Sequence, residues 1–299
     1  MRCAVGCGQQ QRGVDEGYGI DEVRGDFGHP ATNGLSCERG IRETENPQGE
    51  WLTEPLVRWG DTLRPASWDK ALGIIAAEFL QAIAEDPDNV AVLGSGQQTN
   101  EAAYALGKLA RGGIGTRYFD ANTTLCMASA VTAYYDAFGS DAPPCTYDDI
   151  PEAETHVVWG ANPAAAHPVL YRWILDSACE ADSRLVVVDP VASETAADAD
   201  LHVQPDPGTD LMLARAVLAR VVETGAVDRE FVDAHTEGDD QLVDSPPTLA
   251  DAAATAGVDA GSVEELAAAF GAPAPLFWGG GGNHRTHGPD PARGLLNLC

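Results

Sequence analysis

Residues 155–175 read "THVVWGANPAAAHPVLYRWIL". A short apolar run ends at Trp159, the chain turns at Gly160, and apolar residues then recur at helical spacing. That is the grammar of a buried strand feeding a helix through a glycine turn. The same unit appears at residues 89–110, "NVAVLGSGQQTNEAAYALGKLA", and at residues 274–296, "APLFWGGGGNHRTHGPDPARGLL". A further strand, "RLVVVDP", ends at Asp189, and "VQPDPGTDLMLARAVLARVVE" (203–223) turns into an amphipathic helix. Strands that alternate with helices and are apolar on both sides predict parallel sheets covered on both faces. In such sheets ligands collect at the carboxyl ends of the strands, where these turns lie. The intervals are unequal and too long for a solenoid.

Outward from this pattern the chain divides into three predicted domains, 1–60, 61–153 and 154–299. The first is rich in glycine and charge, a loop-and-hairpin region that needs something other than a core to hold it. Ser67 reads as the N-cap of a helix carrying Trp68, Leu72, Ile75, Phe79 and Ile83 on one stripe, and Pro87 ends it. Near the other end, Ser262 and Glu265 in "GSVEELAAAFG" read as a capping box.

At 299 residues with 44% hydrophobic composition the chain can bury a substantial core. Its formal net charge is -28, and Lys70 and Lys108 are the only lysines. Such a field repels nucleic acid and anionic membranes, which are excluded as partners. The acids are interleaved with periodic apolar segments, so a solvated acidic surface suited to high salt is expected rather than disorder. This is the composition expected of a halophile. No apolar run approaches the roughly 18 residues of a membrane span and no signal-peptide pattern opens the chain, so the expected location is cytoplasmic.

Seven cysteines in an acidic chain of this size point to metal binding or catalysis before a disulfide framework. Cys3-x3-Cys7, with Cys37 after a long loop, lacks the C-x2-C pairs usual for zinc. Thiolates around an iron–sulfur cluster tolerate the x3 gap, and a cysteine immediately before Met1 would complete four ligands. Cys126, in "NTTLCMASAVTAYY", is expected near a helix start. Burial as a structural thiol and service as a soft metal ligand are equally compatible with its spacing. The glycine turns are each weak phosphate signals, since "GSGQQT" lacks the third glycine of the dinucleotide fingerprint and no Walker motif exists. Several together, with "DPGTD" and Asp189 at a strand end, favour a large phosphorylated nucleotide ligand.

Eight blocks, in order and spacing, resemble the N-terminal part of molybdopterin oxidoreductases: "MRCAVGCG…GLSCERG", "LGSGQQ", "LCMASAV", "YDDI", "VVWGANPAAAHP", "VVDPVASETA", "QPDPGTD" and "WGGGGNH". The likeness is greatest to assimilatory and periplasmic nitrate reductases, of the haloarchaeal kind, and covers roughly the first half of such an enzyme. It implies an α/β fold with a small N-terminal iron–sulfur domain followed by parallel-sheet, Rossmann-like domains, truncated. It also implies a 4Fe-4S cluster on Cys3, Cys7 and Cys37, with Arg39 where the family usually has a lysine between cluster and pterin. Cys126 matches the molybdenum thiolate, and Met127, where formate dehydrogenases typically carry a histidine, favours nitrate.

For the bis-molybdopterin guanine dinucleotide the resemblance implies contacts from Gln97, Asn122, Trp159, Gly160, Asn162, His167 and Asp189. Gly208 and Asp210 would serve a guanosine end, where a carboxylate can accept two N–H groups. Asn283 and His284 stand at a family Asn-Gln pair, so His284 departs from the pattern, and both it and His167 are also readable as ordinary loop residues. Cys145, Cys179 and Cys299 match no ligand position. The implied reaction is reduction of nitrate to nitrite, with electrons from a donor protein such as ferredoxin or a reductase. A formate dehydrogenase, an inactive fragment and a plain nucleotide-binding module are the alternatives. Because the apolar run "ARGLLNLC" ends without a cap, this stretch alone is expected to be inactive.

Overall fold

The computed structural model describes residues 3–15, 20–42, 52–239, 242 and 245–299, without the side chains of 123 and 124. It forms two compact units.

The first unit comprises residues 8–29 and 33–126. Its elements are β1 (Gln9–Gly13), β2 (Ile20–Gly25), α1 (Glu38–Ile41), β3 (Leu56–Trp59), β4 (Thr62–Pro65), α2 (Trp68–Glu85), β5 (Val92–Gly94), α3 (Asn100–Lys108), β6 (Phe119–Ala121) and α4 (Thr123–Cys126). β1–β2 and β3–β4 are antiparallel hairpins. The second turns through Gly60 at φ +59, a left-handed position that suits glycine. α2 starts where Ser67 Oγ accepts the Lys70 N–H at 3.3 Å, as the sequence predicts. It ends at Glu85, ahead of the Pro87 turn. β5 and β6 pair in parallel, joined through α3.

The second unit comprises residues 3–7, 30–32 and 127–299. It contains α5 (Ala128–Phe138), β7 (Thr155–Trp159), α6 (Pro163–Ala166), α7 (Pro168–Ala178), β8 (Arg184–Val188), α8 (Glu194–Ala197), β9 (Leu201–Val203), α9 (Asp210–Glu223), α10 (Arg229–His235), α11 (Leu249–Ala256), α12 (Ala260–Ala269), β10 (Leu276–Trp278), α13 (Gly280–Asn283) and α14 (Pro289–Leu296). Four strands form one parallel sheet in the order β10-β7-β8-β9.

Successive residues of β7 and β8 point to opposite faces. Val157, Trp159, Val186 and Val188 pack against Leu213, Val217, Val263, Leu266 and Leu295 of α9, α12 and α14. Val158, Leu185 and Val187 pack on the other face against Tyr171 and Ile174 of α7 and against Ile150. All five residues of β7 are buried: the run Val157–Trp159 is apolar, as a strand covered on both faces requires, while Thr155 and His156 are polar residues taken into the core.

One local expectation is corrected. α12 is capped by Asp259, whose carboxylate accepts the Ser262 N–H at 3.0 Å. Ser262 therefore lies in the first turn, because an ionised acceptor three residues earlier begins the helix sooner than the Ser262–Glu265 box would. Among the described residues no helix is long and apolar enough to cross a membrane.

Candidate cofactor site

In the first unit three of the sequence-predicted residues gather at the carboxyl ends of β5 and β6. Gln97 lies in the turn after β5, and Asn122 follows β6. The Asn122 side-chain oxygen accepts the Gly96 N–H at 3.1 Å, tying the two turns together. One helical turn on, the Cys126 N–H donates to the Asn122 carbonyl at 3.1 Å, and Cys126 is exposed. Cys37 caps α1, with its carbonyl accepting from Gly40 and Ile41, and the Arg39 side chain is exposed one residue into that helix.

In the second unit the turns after β7, β8, β9 and β10 carry the remaining predicted positions. Gly160 has φ +59, and its carbonyl accepts the Gly281 N–H at 3.1 Å. A Cβ on Gly281 would stand 2.6 Å from that carbonyl oxygen, so these two turns meet backbone to backbone only because both are glycine. Asn162 joins the β7 and β8 turns. Its Nδ2 donates to Glu194 at 2.7 Å, and its Oδ1 accepts the Thr195 hydroxyl at 2.8 Å. The Asn162 donation holds the Glu194 carboxyl below the usual carboxylate range. Asp189 closes the β8 turn on itself by accepting the Val191 N–H at 2.8 Å.

Asp210, at the start of α9, is buried. Its Oδ1 accepts the Trp159 indole N–H at 3.0 Å and its Oδ2 pairs with Arg285 at 2.8 Å. The Trp159 side chain is itself wholly buried in the core, so it reaches any ligand only through its backbone or through Asp210. Gly208, at φ +98, lies beside the Arg285 guanidinium, with Nη1 3.7 Å from the place a Cβ would take. Asn283 is almost completely buried, and its Oδ1 has no hydrogen-bond partner. His284 is exposed beside Gly280. His167 is half-buried between α6 and α7, and burial pushes its pKa down, favouring neutral imidazole at pH 7.

Cys3 and Cys7 belong to the second unit and are half-buried on a turn that passes through Gly6 at φ +64. Burial, then the Cys7 and Cys3 thiols, push the Tyr147 pKa up. Tyr147 meets the Trp173 ring edge-on, and the Trp173 indole N–H donates to the Ala31 carbonyl at 3.0 Å. Among the described residues no three His, Cys, Asp or Glu side chains are grouped as ligands of one metal ion. A surface cleft lined by Glu154, Asp182, Arg184 and Gly271 opens at the opposite, amino ends of β7 and β8 and brings no reactive groups together.

The molybdopterin oxidoreductase family model matches residues 52–299. The chain belongs to the molybdopterin oxidoreductase family. Over its whole length it is 62% identical to an assimilatory nitrate reductase of Haloferax mediterranei, and it covers 42% of that protein. A nitrate reductase of Shewanella frigidimarina is 40% identical over 81% of the chain, which covers 26% of it. The fold matches acetylene hydratase from Pelobacter acetylenicus with a TM-score of 0.79 at 20% identity, over 99% of this chain and 42% of that one. The chain thus spans less than half the length of each of these proteins.

Family membership implies a molybdenum–pterin cofactor, and the residues present fit one. A buried, unpartnered carbonyl oxygen on Asn283, beside a run of four glycines, is an acceptor awaiting a donor. Pterin and guanine rings both carry N–H groups of that kind. The exposed thiol of Cys126 is the kind of soft sulfur that suits molybdenum.

Sequence reasoning did not single out Arg285 or the Glu194–Thr195 pair. Arg285 had a signal: it is a lone cation directly behind a four-glycine turn, in a chain with only 18 basic residues.

Proposed function

We propose that the full-length protein is a molybdenum-dependent nitrate reductase, converting nitrate to nitrite in nitrate assimilation. The observation that carries the reading is the 62% identity, across every residue of the chain, with a protein named for that activity. The cofactor is bis-molybdopterin guanine dinucleotide. Gln97 and Asn122 of the first unit would contact it, as would Gly160, Asn162, His167, Asp189, Asn283, His284 and the Trp159 backbone of the second, with Gly208 and Asp210 serving the guanosine end. Cys126 ligates the metal. Cys3, Cys7 and Cys37 would serve as ligands of a 4Fe-4S cluster, and the Arg39 guanidinium would supply hydrogen-bond donors to the pterin.

When bound, the molybdenum group supplies two-electron oxygen-atom chemistry, as cofactors carry the demanding step in such enzymes. The chain's residues orient and hold. Asn283 Oδ1, buried and unpartnered, would accept a ring N–H, His167, its pKa lowered by burial, would add little charge, and the paired glycine turns would let backbone amides approach a diphosphate. A net charge of -28 opposes entry of an anion, so nitrate needs arginines near the metal to offset the field. Electrons arrive from a donor protein such as ferredoxin or a reductase. The acidic composition fits a cytoplasmic protein of a halophile.

Reduced-viologen assays on the full-length gene product test the reading. Nitrate-dependent viologen oxidation is expected, with formate-dependent viologen reduction at background. Formate turnover without nitrate turnover would assign a formate dehydrogenase instead.

A further inference from the structure

We propose that Arg285 is a positioning residue that clamps the guanosine end of the site into one geometry, an inference that rests on the nucleotide reading above for its functional consequence. Five contacts converge on this side chain's neighbourhood. Arg285 Nε and Nη2 both donate to the Gly281 carbonyl, at 3.2 and 3.0 Å. Nη2 also pairs with Asp210 Oδ2 at 2.8 Å. Asp210 Oδ1 in turn accepts the Trp159 indole at 3.0 Å, and Gly281 N–H donates to Gly160 at 3.1 Å. A closed circuit therefore runs from the end of β7 through the start of α9 and the guanidinium to the turn after β10, and back to β7.

The chemistry of the circuit calls for arginine. Its planar fork sets Nε and Nη2 together on the Gly281 carbonyl while Nη2 also reaches Asp210, a fixed geometry that the rotatable donors of a lysine ammonium do not preset. Asp210 is buried, with its side chain 7% exposed, so an unpaired carboxylate there is costly and the pair strongly couples the two turns. The arrangement also reassigns Asp210. The sequence suggests a carboxylate that reads a guanine edge, yet both of its oxygens are already engaged inside the protein. Asp210 is the clamp's anchor, and Arg285 determines how firmly the Gly160–Gly281 seam and the Gly208 turn are held beneath a nucleotide.

Hydrogen–deuterium exchange on the full-length gene product, wild type against Arg285→Gln and Arg285→Lys, measures the clamp directly. Peptides covering 279–284 are expected to exchange about tenfold faster in Arg285→Gln, a loosening of ~1.4 kcal/mol, and by less in Arg285→Lys. Peptides covering β8 should be unchanged, which separates loosening of the turns from general unfolding. The same samples, assayed for guanine nucleotide released by acid, should show reduced retention in Arg285→Gln, and an Asp210→Asn change added to it should cost less than it does alone. Unchanged exchange at 279–284 in Arg285→Gln overturns the clamp whatever the nucleotide content. Wild-type protein lacking guanine nucleotide while the variant still loosens would leave the clamp standing and remove its assigned ligand.

Discussion

Asn283 and His156 are the two described residues with a buried side-chain polar atom lacking a hydrogen-bond partner, and they differ in kind. At Asn283 the unmet atom sits behind the four-glycine turn, within reach of a ligand's place. Leucine there removes an unsatisfied carbonyl, so Asn283→Leu is predicted to raise cofactor-free stability by about 1–3 kcal/mol while lowering pterin retention. Thermal melts and pterin fluorescence after extraction check the two halves separately. His156 lies in the core beneath α7. The Ser177 hydroxyl donates to the Ile150 carbonyl at 3.1 Å, so it accepts from His156 Nε2–H at 3.0 Å and leaves Nδ1 a bare acceptor. Burial lowers the His156 pKa, as it does for His167. The unfolded chain then binds more protons below its ordinary histidine pKa of about 6.5. Stability is complete above that pH and falls as the pH drops below it. A smaller decline between pH 6.5 and 5.5 in His156→Gln checks this; an identical decline would assign it elsewhere. Site residue types were legible in the sequence because glycine turns and thiols announce themselves. Arg285 was not, because its meaning depends on Asp210, 75 positions earlier.

At the scale of elements, the glycine seam between the β7 and β10 turns is a close backbone contact at the carboxyl edge of the sheet. A Cβ at Gly281 would overlap the Gly160 carbonyl, with both partners held by backbone. Gly281→Ala is accordingly expected to cost about 1–3 kcal/mol, as overpacking does, whereas Gly73→Ala on α2, with open space around it, should be neutral or slightly stabilising. Behind the seam, Leu213 is wholly buried between sheet and helices, so Leu213→Ala should lose about 2–5 kcal/mol. Denaturant melts compare all three. The strand-turn-helix units were readable from periodicity, since Val157–Trp159 of β7 and Leu185–Val188 of β8 are buried on both faces of the sheet and form apolar runs. Strand order was not readable. β10 comes last in the chain yet pairs with β7, and no local pattern records that crossover. The start of α12 was misread because Asp259 and Ser262 are both good caps, and only the backbone decides between them.

For the whole molecule, charge dominates. With 46 acidic and 18 basic residues, self-repulsion is long-ranged at low salt, and the Debye length shrinks from about 10 Å at 0.1 M to about 3 Å at 1 M. The melting temperature is predicted to rise steadily with added KCl between these concentrations; a flat or falling curve would remove the halophilic reading. The halophilic reading rests on this composition. The partition of the chain into units was less visible. The short thiol-bearing segment of residues 3–7 joins the second unit, far along the sequence, through packing that periodicity cannot reveal. The central proposal is that Cys126, an exposed thiol at the end of α4, is the protein's sulfur ligand to molybdenum. Molybdenum K-edge X-ray absorption on the full-length gene product, beside Cys126→Ser, tests it most directly. The prediction is loss of one sulfur scatterer from the metal's shell in the variant, together with loss of nitrate reduction. An unchanged sulfur shell in a variant that still carries its molybdenum would contradict it.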